Sequence, residues 1–386
     1  MRKMKNSGIE WIGDIPKDWD VKKLKYLCKN ITDGSHFSPE TQLDGKTYIT
    51  VTDVYDGVVH YESASKISER DFEVLEKNGC KPPIHSVLLA KDGTVGRTAI
   101  VEYNDYVVLS SLGILNPDEN EVYYVFLKHL LDSQFLQEQM KLAMAGSALR
   151  RITIGKINKL ITIVPPLPEQ KRIADFLDAK CADIDQIRAD IEKQIEILTD
   201  YKKSVITEAV TKGLDPKAKL KDSGIEWIDK IPEHWEIQKG KYVLKYLQKA
   251  TREDDGVITC FRDGEVTLRS NRREDGFTIS EKEIGYQGID VGDLVVHGMD
   301  GFAGSIGISD SRGKASPVLN VLDSSQNKRY LMYYLRSMAY NNVFVALATG
   351  IRVRSCDLRW NKLAELPYPL PPITEQNQIA DYIVVP

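Results

Sequence analysis

An internal duplication constrains this chain more than any other feature of its sequence. Residues 7–30 return as residues 223–246, with 13 identical positions among the 24 compared. A second shared segment, residues 165–175, returns as residues 371–381. Because self-similarity over a long period marks repeated structural units, the chain is predicted to hold two copies of one unit, each bounded by the same two border segments.

The stretches between these borders, residues 31–145 and 250–347, have little identity with each other. Two interpretations follow from this contrast. One is a structural duplication that has drifted, and the other is a shared frame that carries two interchangeable recognition modules. Matching borders around unlike interiors favour the second interpretation.

Composition limits the class of protein. The chain has 386 residues with 52 Lys and Arg against 56 Asp and Glu, a net charge of -4. This balance argues against a protein that coats nucleic acid through bulk positive charge, although it leaves room for a local basic groove. The five cysteines have no C-x-x-C spacing, so neither a disulfide framework nor a zinc site is predicted. No apolar run reaches the ~20 residues of a membrane span, and no secretory signal is recognised, so we expect a cytoplasmic protein.

Each interior alternates short apolar runs with glycine turns, a pattern typical of a strongly bent sheet or a small barrel. A helical stretch comes late in each copy, at residues 122–144 and 328–346. Each copy is therefore predicted to be an α+β globule. The predicted strands are residues 46–51, 86–90, 98–101 and 106–109 in the first copy, and 257–261 and 293–297 in the second.

A different kind of segment joins the two copies. Apolar side chains recur there every seven residues, which predicts a long helix with a partner helix beside it. Pro168 suits the first turn and Gly213 the end of such a helix, whose ~44 residues would span about 66 Å. The alternative is a linker helix that lies on one domain. The residues of this predicted interface are Leu177, Ile184, Ile191, Leu198 and Val205.

The sequence offers little catalytic chemistry. It has neither an N-P-P-Y motif of adenine methyltransferases nor a G-x-x-x-x-G-K-[ST] phosphate loop. Glu169 and Lys171 have the E-x-K spacing of metal-dependent nucleases, but Asn377 replaces the lysine in the second copy. We therefore predict a binding protein with no metal site rather than an enzyme.

Several probable turns concentrate basic and small polar residues. Arginine suits base recognition because its planar fork matches O6 and N7 of guanine, whereas lysine and serine suit phosphate oxygens. For any one of them a solvated surface charge is the simpler interpretation, but a glycine followed by paired arginines recurs at the same place in both copies. The candidate DNA-binding residues are Ser35, His36, Lys91, Arg97, Ser147, Arg150, Arg151, Arg262, Arg269, Arg272, Arg273, Arg352, Arg354 and Arg359.

The order of these elements is that of a known family: border, variable globule, proline-rich helix entry, long helix, and the same again. The motifs that carry the likeness are Ile15-Pro-x-x-Trp19, Ile231-Pro-x-x-Trp235, Asp33-Gly-Ser-His36 and the two Pro-Pro-x-x-Glu-Gln-x-x-Ile-Ala segments at 165–175 and 371–381. On these residues the chain resembles the DNA-specificity subunit of type I restriction–modification enzymes.

The resemblance implies an architecture. It consists of two tandem α/β target-recognition domains separated by a long coiled-coil-type spacer helix. The domain borders that we predict are a first recognition domain at 1–165, the spacer at 166–214, a second recognition domain at 215–370, and the start of a distal spacer helix at 371–386. Because the sequence stops soon after Asp381, this distal helix is expected to be truncated, and docking of a methyltransferase to be incomplete.

The resemblance also implies a function and partners. The chain would read an asymmetric bipartite site in double-stranded DNA, without catalysis, and would dock methyltransferase subunits and an endonuclease/translocase subunit. S-adenosylmethionine, ATP and Mg would belong to those partners, and no cofactor to this chain. The aliphatic stripe of the spacer helix further predicts self-association through that helix. Each aliphatic side chain left in water lacks about 1.5–3 kcal/mol of burial free energy. The alternatives are a stand-alone DNA-modifying or DNA-cleaving enzyme, and a structural adaptor without base readout.

Overall fold

A computed structural model of the protein describes residues 2–9, 11–144, 150–272, 284–347 and 358–384. The chain divides into two compact units, Met1–Ala189 and Asp190–Pro386. Both units mix helices with short strands, which confirms the predicted α+β class. Among the described helices, none has both the length and the apolar character needed to cross a membrane.

The first unit begins with the border segment and ends within a long helix. Its strands are β1 (Met4–Asn6), β2 (Asp14–Pro16), β3 (Asp20–Lys23), β4 (Cys28–Asp33), β5 (Lys46–Ile49), β6 (Val54–Tyr55), β7 (Val58–Val59), β8 (Ser65–Ile67), β9 (Val87–Ala90), β10 (Thr98–Ile100), β11 (Tyr106–Val108), β12 (Leu112–Pro117) and β13 (Ile161–Val164). Its helices are α1 (Glu69–Lys77), α2 (Tyr124–Asp132), α3 (Gln134–Ala143), α4 (Ile154–Ile157) and the first part of α5 (Leu167–Lys212).

The second unit contains the end of α5 and the second copy. Its strands are β14 (Leu220–Ile225), β15 (Ile228–Pro232), β16 (Glu236–Lys239), β17 (Lys245–Leu247), β18 (Ile258–Cys260), β19 (Val266–Leu268), β20 (Gln287–Ile289), β21 (Leu294–His297), β22 (Ile306–Ile308), β23 (Gly313–Ala315), β24 (Leu319–Asp323) and β25 (Pro367–Leu370). Its further helices are α6 (Gly240–Val243), α7 (Lys328–Tyr340), α8 (Val343–Ala346), α9 (Trp360–Leu363) and α10 (Ile373–Val384).

The two units contain the same four-stranded antiparallel sheet. Its order is β10-β9-β12-β4 in the first unit and β22-β21-β24-β17 in the second. In the first unit Leu115 pairs with Val87 on one side and Ile31 on the other. In the second, Val321 lies between Val295 and Leu247 in the same way. The duplication therefore extends through the interiors, where the two sequences have little identity.

The sheets that complete the interiors differ. In the first unit β11-β5-β8 forms a three-stranded sheet in which β5 and β11 are parallel. The second unit has two antiparallel pairs instead, β18-β19 and β20-β23. Each described sheet has two edge strands, so the described interiors contain several small open sheets rather than one closed barrel.

The proline-rich entry motif of each copy is fastened to the segment that precedes α2 or α7 of the same copy. Gln170 is buried and bridges three backbone groups: it accepts from Tyr123 N at 2.9 Å and donates to Glu121 O at 3.0 Å and Pro165 O at 2.8 Å. Gln376 repeats the pattern, accepting from Asn327 N at 3.0 Å and donating to Pro371 O at 2.8 Å. A buried amide that satisfies several backbone groups is costly to replace, which explains why the motif recurs.

The glutamate of the same motif meets the border tryptophan. Trp19 donates its indole N–H to Glu169 at 3.1 Å, and Trp235 donates to Glu375 at the same distance. In the first unit the Arg2 guanidinium also binds Glu169 and lowers the pKa of its carboxyl below the usual value. Glu169 is thus a structural anchor, and its E-x-K spacing has no bearing on nuclease chemistry.

The observed bounds of three predicted helices differ from the prediction. The helix between the copies is present as α5, whose 46 residues give a length of about 69 Å. The stretch predicted as one helix over 122–144 is two helices, because Ser133 adopts an extended conformation and caps α3. The stretch over 328–346 is likewise divided, at Asn342, whose φ of 56° ends the helical course.

Candidate nucleic-acid interface

Three loops that the sequence predicts to bind DNA meet in the first unit. Asp33, at the end of β4, lies at the centre of the group. Its carboxylate is 3.1 Å from the Lys91 ammonium, which follows β9, and 3.3 Å from the His36 ring. The loop after β4 and the loop after β9 are therefore held together by one acid.

The segment before α4 joins the same cluster through its backbone. Gly93 N donates to Arg150 O at 3.0 Å, and Ile152 N donates to Lys91 O at 2.9 Å. The Arg151 guanidinium binds the Asp92 carboxylate, with one N–H at 3.0 Å. The predicted residues of the two loops thus form one continuous ridge, which we call the β9–α4 ridge, residues 91–97 with Arg150 and Arg151.

Glycine shapes this ridge. Gly93 and Gly96 both have positive φ, 68° and 100°, which side-chain-bearing residues rarely adopt. A Cβ at Gly96 would also overlap the Gln137 side chain of α3. Because Gln137 donates to Gly96 O at 2.9 Å, the loop is fixed against the helix.

The exposure of the predicted residues differs within the cluster. His36, Arg97, Arg150 and Arg151 are exposed and available to a ligand. Lys91 is 4% exposed and Ser35 5% exposed. Ser35 accepts a hydrogen bond from Phe37 N at 3.0 Å, and Lys91 binds Asp33. In this structure both support the loops, and direct DNA contact by either stays a prediction.

The second unit places two of its predicted arginines at the equivalent loop. Leu358 N donates to Gly298 O at 2.8 Å, as Ile152 does to Lys91 in the first unit. Arg359 follows directly as the residue that precedes α9. The Arg262 guanidinium reaches the Asp300 carboxylate of the same loop at 3.2 Å. We call this group the β21–α9 ridge, residues 298–304 with Arg262 and Arg359.

The other two described arginines of the prediction, Arg269 and Arg272, directly follow β19. The Arg272 guanidinium stacks 4.1 Å from the Phe261 ring centroid and binds Asp263 at 2.8 Å. Arg269 lies 3.4 Å from the Thr259 hydroxyl. Their contact with DNA stays a prediction. The predicted residues Ser147, Arg273, Arg352 and Arg354 lie outside the described residues.

The carboxylates that organise these loops were not among the predicted binding residues, although Asp33 belongs to the Asp33-Gly-Ser-His36 motif. Asp33, Asp92 and Asp300 each bind a predicted basic residue. Each also precedes a glycine, and Asp-Gly is a strong turn signal. A search for Asp-Gly turns beside the basic loops could have found all three.

The predicted interface stripe is exposed along the middle of α5. Ile184 is 63% exposed, Ile191 50% and Leu198 64%, whereas Leu177 and Val205 are half-buried. Folded proteins rarely expose several large aliphatic side chains in one continuous patch unless the patch is an interaction surface. The described residues hold no group of three or more His, Cys, Asp and Glu side chains suited to a metal ion.

Comparison with known proteins gives a family. Residues 16–197 match the family model of the type I restriction modification DNA specificity domain. A putative MjaX specificity subunit of a type I restriction enzyme from Methanocaldococcus jannaschii is 28% identical over 233 residues, 58% of this chain and 52% of that protein. The EcoKI specificity subunit from Escherichia coli is 25% identical over 207 residues, 51% of this chain and 42% of that protein. Residues 16–197 are therefore similar to the DNA specificity domain of type I restriction enzymes.

Two solved structures share the fold of this chain. The HsdS subunit from Thermoanaerobacter tengcongensis superposes with a TM-score of 0.52 at 16% identity, over 96% of this chain and 89% of that one. A chain from a study of the assembly and conformational transition of the type I R-M system gives a TM-score of 0.63 at 16% identity, over 96% and 90%. The chain spans about half the length of the curated relatives that it matches first.

Proposed function

We propose that the chain is the DNA sequence-specificity subunit of a type I restriction–modification system. One observation carries the proposal: both units build the same sheet, and both place basic side chains on the same pair of loops. These are the β9–α4 ridge and the β21–α9 ridge. A shared frame with different side chains at one position suits two recognition domains that read two different half-sites.

The exposed arginines supply the chemistry of recognition. Arg97 and Arg150 lie on a glycine-shaped loop and have the length and the planar fork to reach base edges in the major groove. Arg151 is already held by Asp92, so its guanidinium is oriented before DNA arrives. Preorientation lowers the entropic cost of each contact. The ion pair between the half-buried Asp33 and the buried Lys91 fixes the neighbouring loop.

We further propose that helix α5 is the spacer and that its exposed aliphatic stripe is a protein interface. Methyltransferase subunits would dock there, joined by an endonuclease/translocase subunit. S-adenosylmethionine, ATP and Mg would be bound by those subunits, while this chain contributes specificity and no catalysis. Self-association through the same stripe stays a prediction, and light scattering on Ile191→Glu with Leu198→Glu separates it from aggregation by other surfaces.

The domain borders remain part of this proposal: recognition domains at 1–165 and 215–370, the spacer at 166–214 and a distal spacer segment at 371–386. Exchanging residues 31–145 for the interior of another family member tests them. Such a hybrid should change one half of the recognised site and leave the other half unchanged.

The decisive experiment maps methylated adenines genome-wide in cells that contain this chain with its methyltransferase. We expect an asymmetric site with two different halves, spaced by one to two turns of DNA, or about 34–68 Å. A palindromic site would contradict two different recognition domains. Metal-dependent cleavage by the purified chain alone would support the stand-alone enzyme, and failure to bind any DNA with methyltransferase present would support an adaptor.

A further inference from the structure

Two stretches of the repeated border differ in how sequence identity between the two units relates to burial. Over residues 11–22 and their equivalents 227–238, five positions are identical, and none of them is exposed in both units. Trp19, which is half-buried, and Trp235, which is buried, are such a pair, each bonded to a glutamate of its own unit. Exposed positions in this stretch have changed, for example Lys17 to Glu233. This is the pattern expected of a frame that is constrained by its own packing.

The pattern is inverted in the next seven residues, 23–29 and 239–245. Four positions are exposed in both units, and all four are identical. Three positions are buried in both units, and all three differ. The exposed set is Lys23, Lys25, Tyr26 and Lys29 with Lys239, Lys241, Tyr242 and Lys245, and the buried set is Leu24, Leu27 and Cys28 with Gly240, Val243 and Leu244.

Internal packing explains why the buried positions changed. A Cβ at Gly240 would overlap the Leu363 carbonyl oxygen and lie 2.9 Å from the Tyr368 ring, so the second unit has no room for the counterpart of Leu24. Packing gives no reason for the exposed positions to stay the same. Their identity therefore points to a constraint from outside the chain, and to the same constraint on both units.

The centre of the exposed set is an aromatic ring beneath a cation. Tyr26 is 59% exposed and Tyr242 is 73% exposed. Lys25 Nζ lies 4.7 Å from the Tyr26 ring centroid, and Lys241 Nζ lies 5.3 Å from that of Tyr242. We call each lysine–tyrosine pair a knob. Tyrosine is a frequent anchor of protein interfaces, because its ring buries a large area at low entropic cost.

The surrounding charges favour a protein over nucleic acid. In the second unit Glu365 binds both Lys239 at 2.7 Å and Lys241 at 3.4 Å. This acid reduces the positive charge that the second knob offers to phosphates. In the first unit the knob precedes β4, while Asp33 and the β9–α4 ridge are at the far end, about 16 Å away along the strand.

We propose that the two knobs anchor one protein partner, which binds once to each unit through a pocket with apolar walls and an acidic rim. The inference rests on the proposed function, under which the methyltransferase subunit is that partner. The tyrosine ring enters the pocket, and the lysine above it meets the acidic rim. Since both knobs have the same chemistry, one pocket on one protein fits both.

The test measures how many methyltransferase subunits bind to the full chain, by native mass spectrometry with titration calorimetry. The variants are Tyr26→Ala, Tyr242→Ala and both together, with Tyr103→Ala as the control, since Tyr103 is exposed in the first unit without a counterpart in the border repeat. We expect each single variant to weaken one of two binding events about tenfold, and the double variant to weaken both. Tyr103→Ala should bind like the wild type.

The outcomes separate this inference from the proposed function. If the wild-type chain binds no methyltransferase, the proposed function fails and the inference with it. If the wild type binds and the double variant binds equally well, the knobs are not anchors and only this inference is overturned. A loss of affinity for DNA by the isolated double variant, with methyltransferase binding unchanged, would overturn it in favour of a nucleic-acid surface.

Discussion

The two units solve the same packing problem with different side chains. At the end of the edge strand of each four-stranded sheet, two residues beyond the equivalent positions Ile31 and Leu247, the first unit has Asp33 and the second has Lys249. Asp33 holds one lysine, Lys91, at 3.1 Å. Lys249 holds two acids, Asp290 at 2.8 Å and Asp293 at 2.6 Å. The frame requires an ion pair at this strand end but leaves its direction free.

The comparison teaches where this architecture is rigid and where it can vary. Trp19 and Trp235 fasten the border to the entry helix by the same bond in both units, and Gln170 and Gln376 fasten that helix to the segment before α2 or α7. The second sheet contains a parallel strand pair in the first unit, whereas the described strand pairs of its counterpart are antiparallel and parallel pairing there is limited to isolated bridges such as Val257 with Lys314. The loops that we propose for recognition are held by the constant part, so their sequences can change without loss of the fold.

The largest expected loss of stability comes from exchanging the residues of the two units at one equivalent buried position. Leu24→Gly leaves a cavity in the core of the first unit and should cost about 3–5 kcal/mol. Gly240→Leu overlaps the backbone at Leu363 and should cost about 3 kcal/mol or more. Urea unfolding of the full chain measures both, and hydrogen exchange locates the unit affected.

The control for this exchange uses an exposed pair of equivalent positions. Lys17→Glu and Glu233→Lys exchange residues on the same hairpins, and should change the free energy of unfolding by no more than about 0.5 kcal/mol. An exchange at Leu24 and Gly240 that proves as mild as this control would mean that the two cores are interchangeable.

Much of the frame could be predicted from the sequence, because it rests on local patterns. The six predicted strands are present within one or two residues, and the heptad stripe identified α5. The common sheet of the interiors could not be predicted, since Ile31 and Leu115 occupy the same places as Leu247 and Val321 without being identical. A buried strand requires apolar bulk rather than particular residues, so identity disappears while the pairing stays.

The candidate site was predictable in part for the same reason. Glycine turns with basic residues identified the loops, and the structure brings Lys91 and Arg151 into one ridge. Which side chains would be buried could not be predicted, because Lys91 is covered by residues distant in sequence. Asp33 and Asp92 became important only when the loops met, and single-residue patterns contain no record of such long-range pairing.

An intermediate effect sharpens the comparison at the two ridges. Arg150→Ala with Arg151→Ala should weaken binding at the first half-site by about 1–3 kcal/mol for each base that the arginines recognise. Arg262→Ala with Arg359→Ala should do the same at the second half-site only. Binding to oligonucleotides with one half-site altered at a time separates the two, with Arg70→Ala on α1 as an exposed control.

The pattern of weakening identifies the kind of interaction. A decrease that is equal for all DNA sequences, with a reduced dependence on salt, would mean that the arginines bind phosphates. Unchanged binding in both double variants would remove both ridges from the DNA interface. Asp92→Asn, which releases Arg151 without removing it, should have a smaller effect than Arg151→Ala.

The smallest expected effect is a loss of stability of the second unit at low pH. In the second unit Arg312 bridges Asp255 at 2.8 Å and Asp290 at 2.6 Å, and Lys249 bridges Asp290 and Asp293. Hydrogen bonds from Lys249 and then Arg312 lower the pKa of Asp290 from 3.8 to about 2. A carboxylate with a lowered pKa stabilises the folded state above its unfolded pKa, and this stability is lost as the pH falls from about 4 to 2.

We therefore expect the second unit to lose more stability than the first between about pH 5 and pH 2.5, as measured by urea unfolding with hydrogen exchange to assign the units. Asp290→Asn should be less stable than the wild type at about pH 6, and the two should converge near pH 2. The difference should be modest because the Asp290 side chain is 43% exposed, and solvent screens ion pairs that accessible. If the free energies of unfolding of the wild type and Asp290→Asn differ by a constant amount across this range, the charge of Asp290 does not contribute to stability. The ion pairs at the two strand ends would then be equivalent, although the acid and the base have exchanged places.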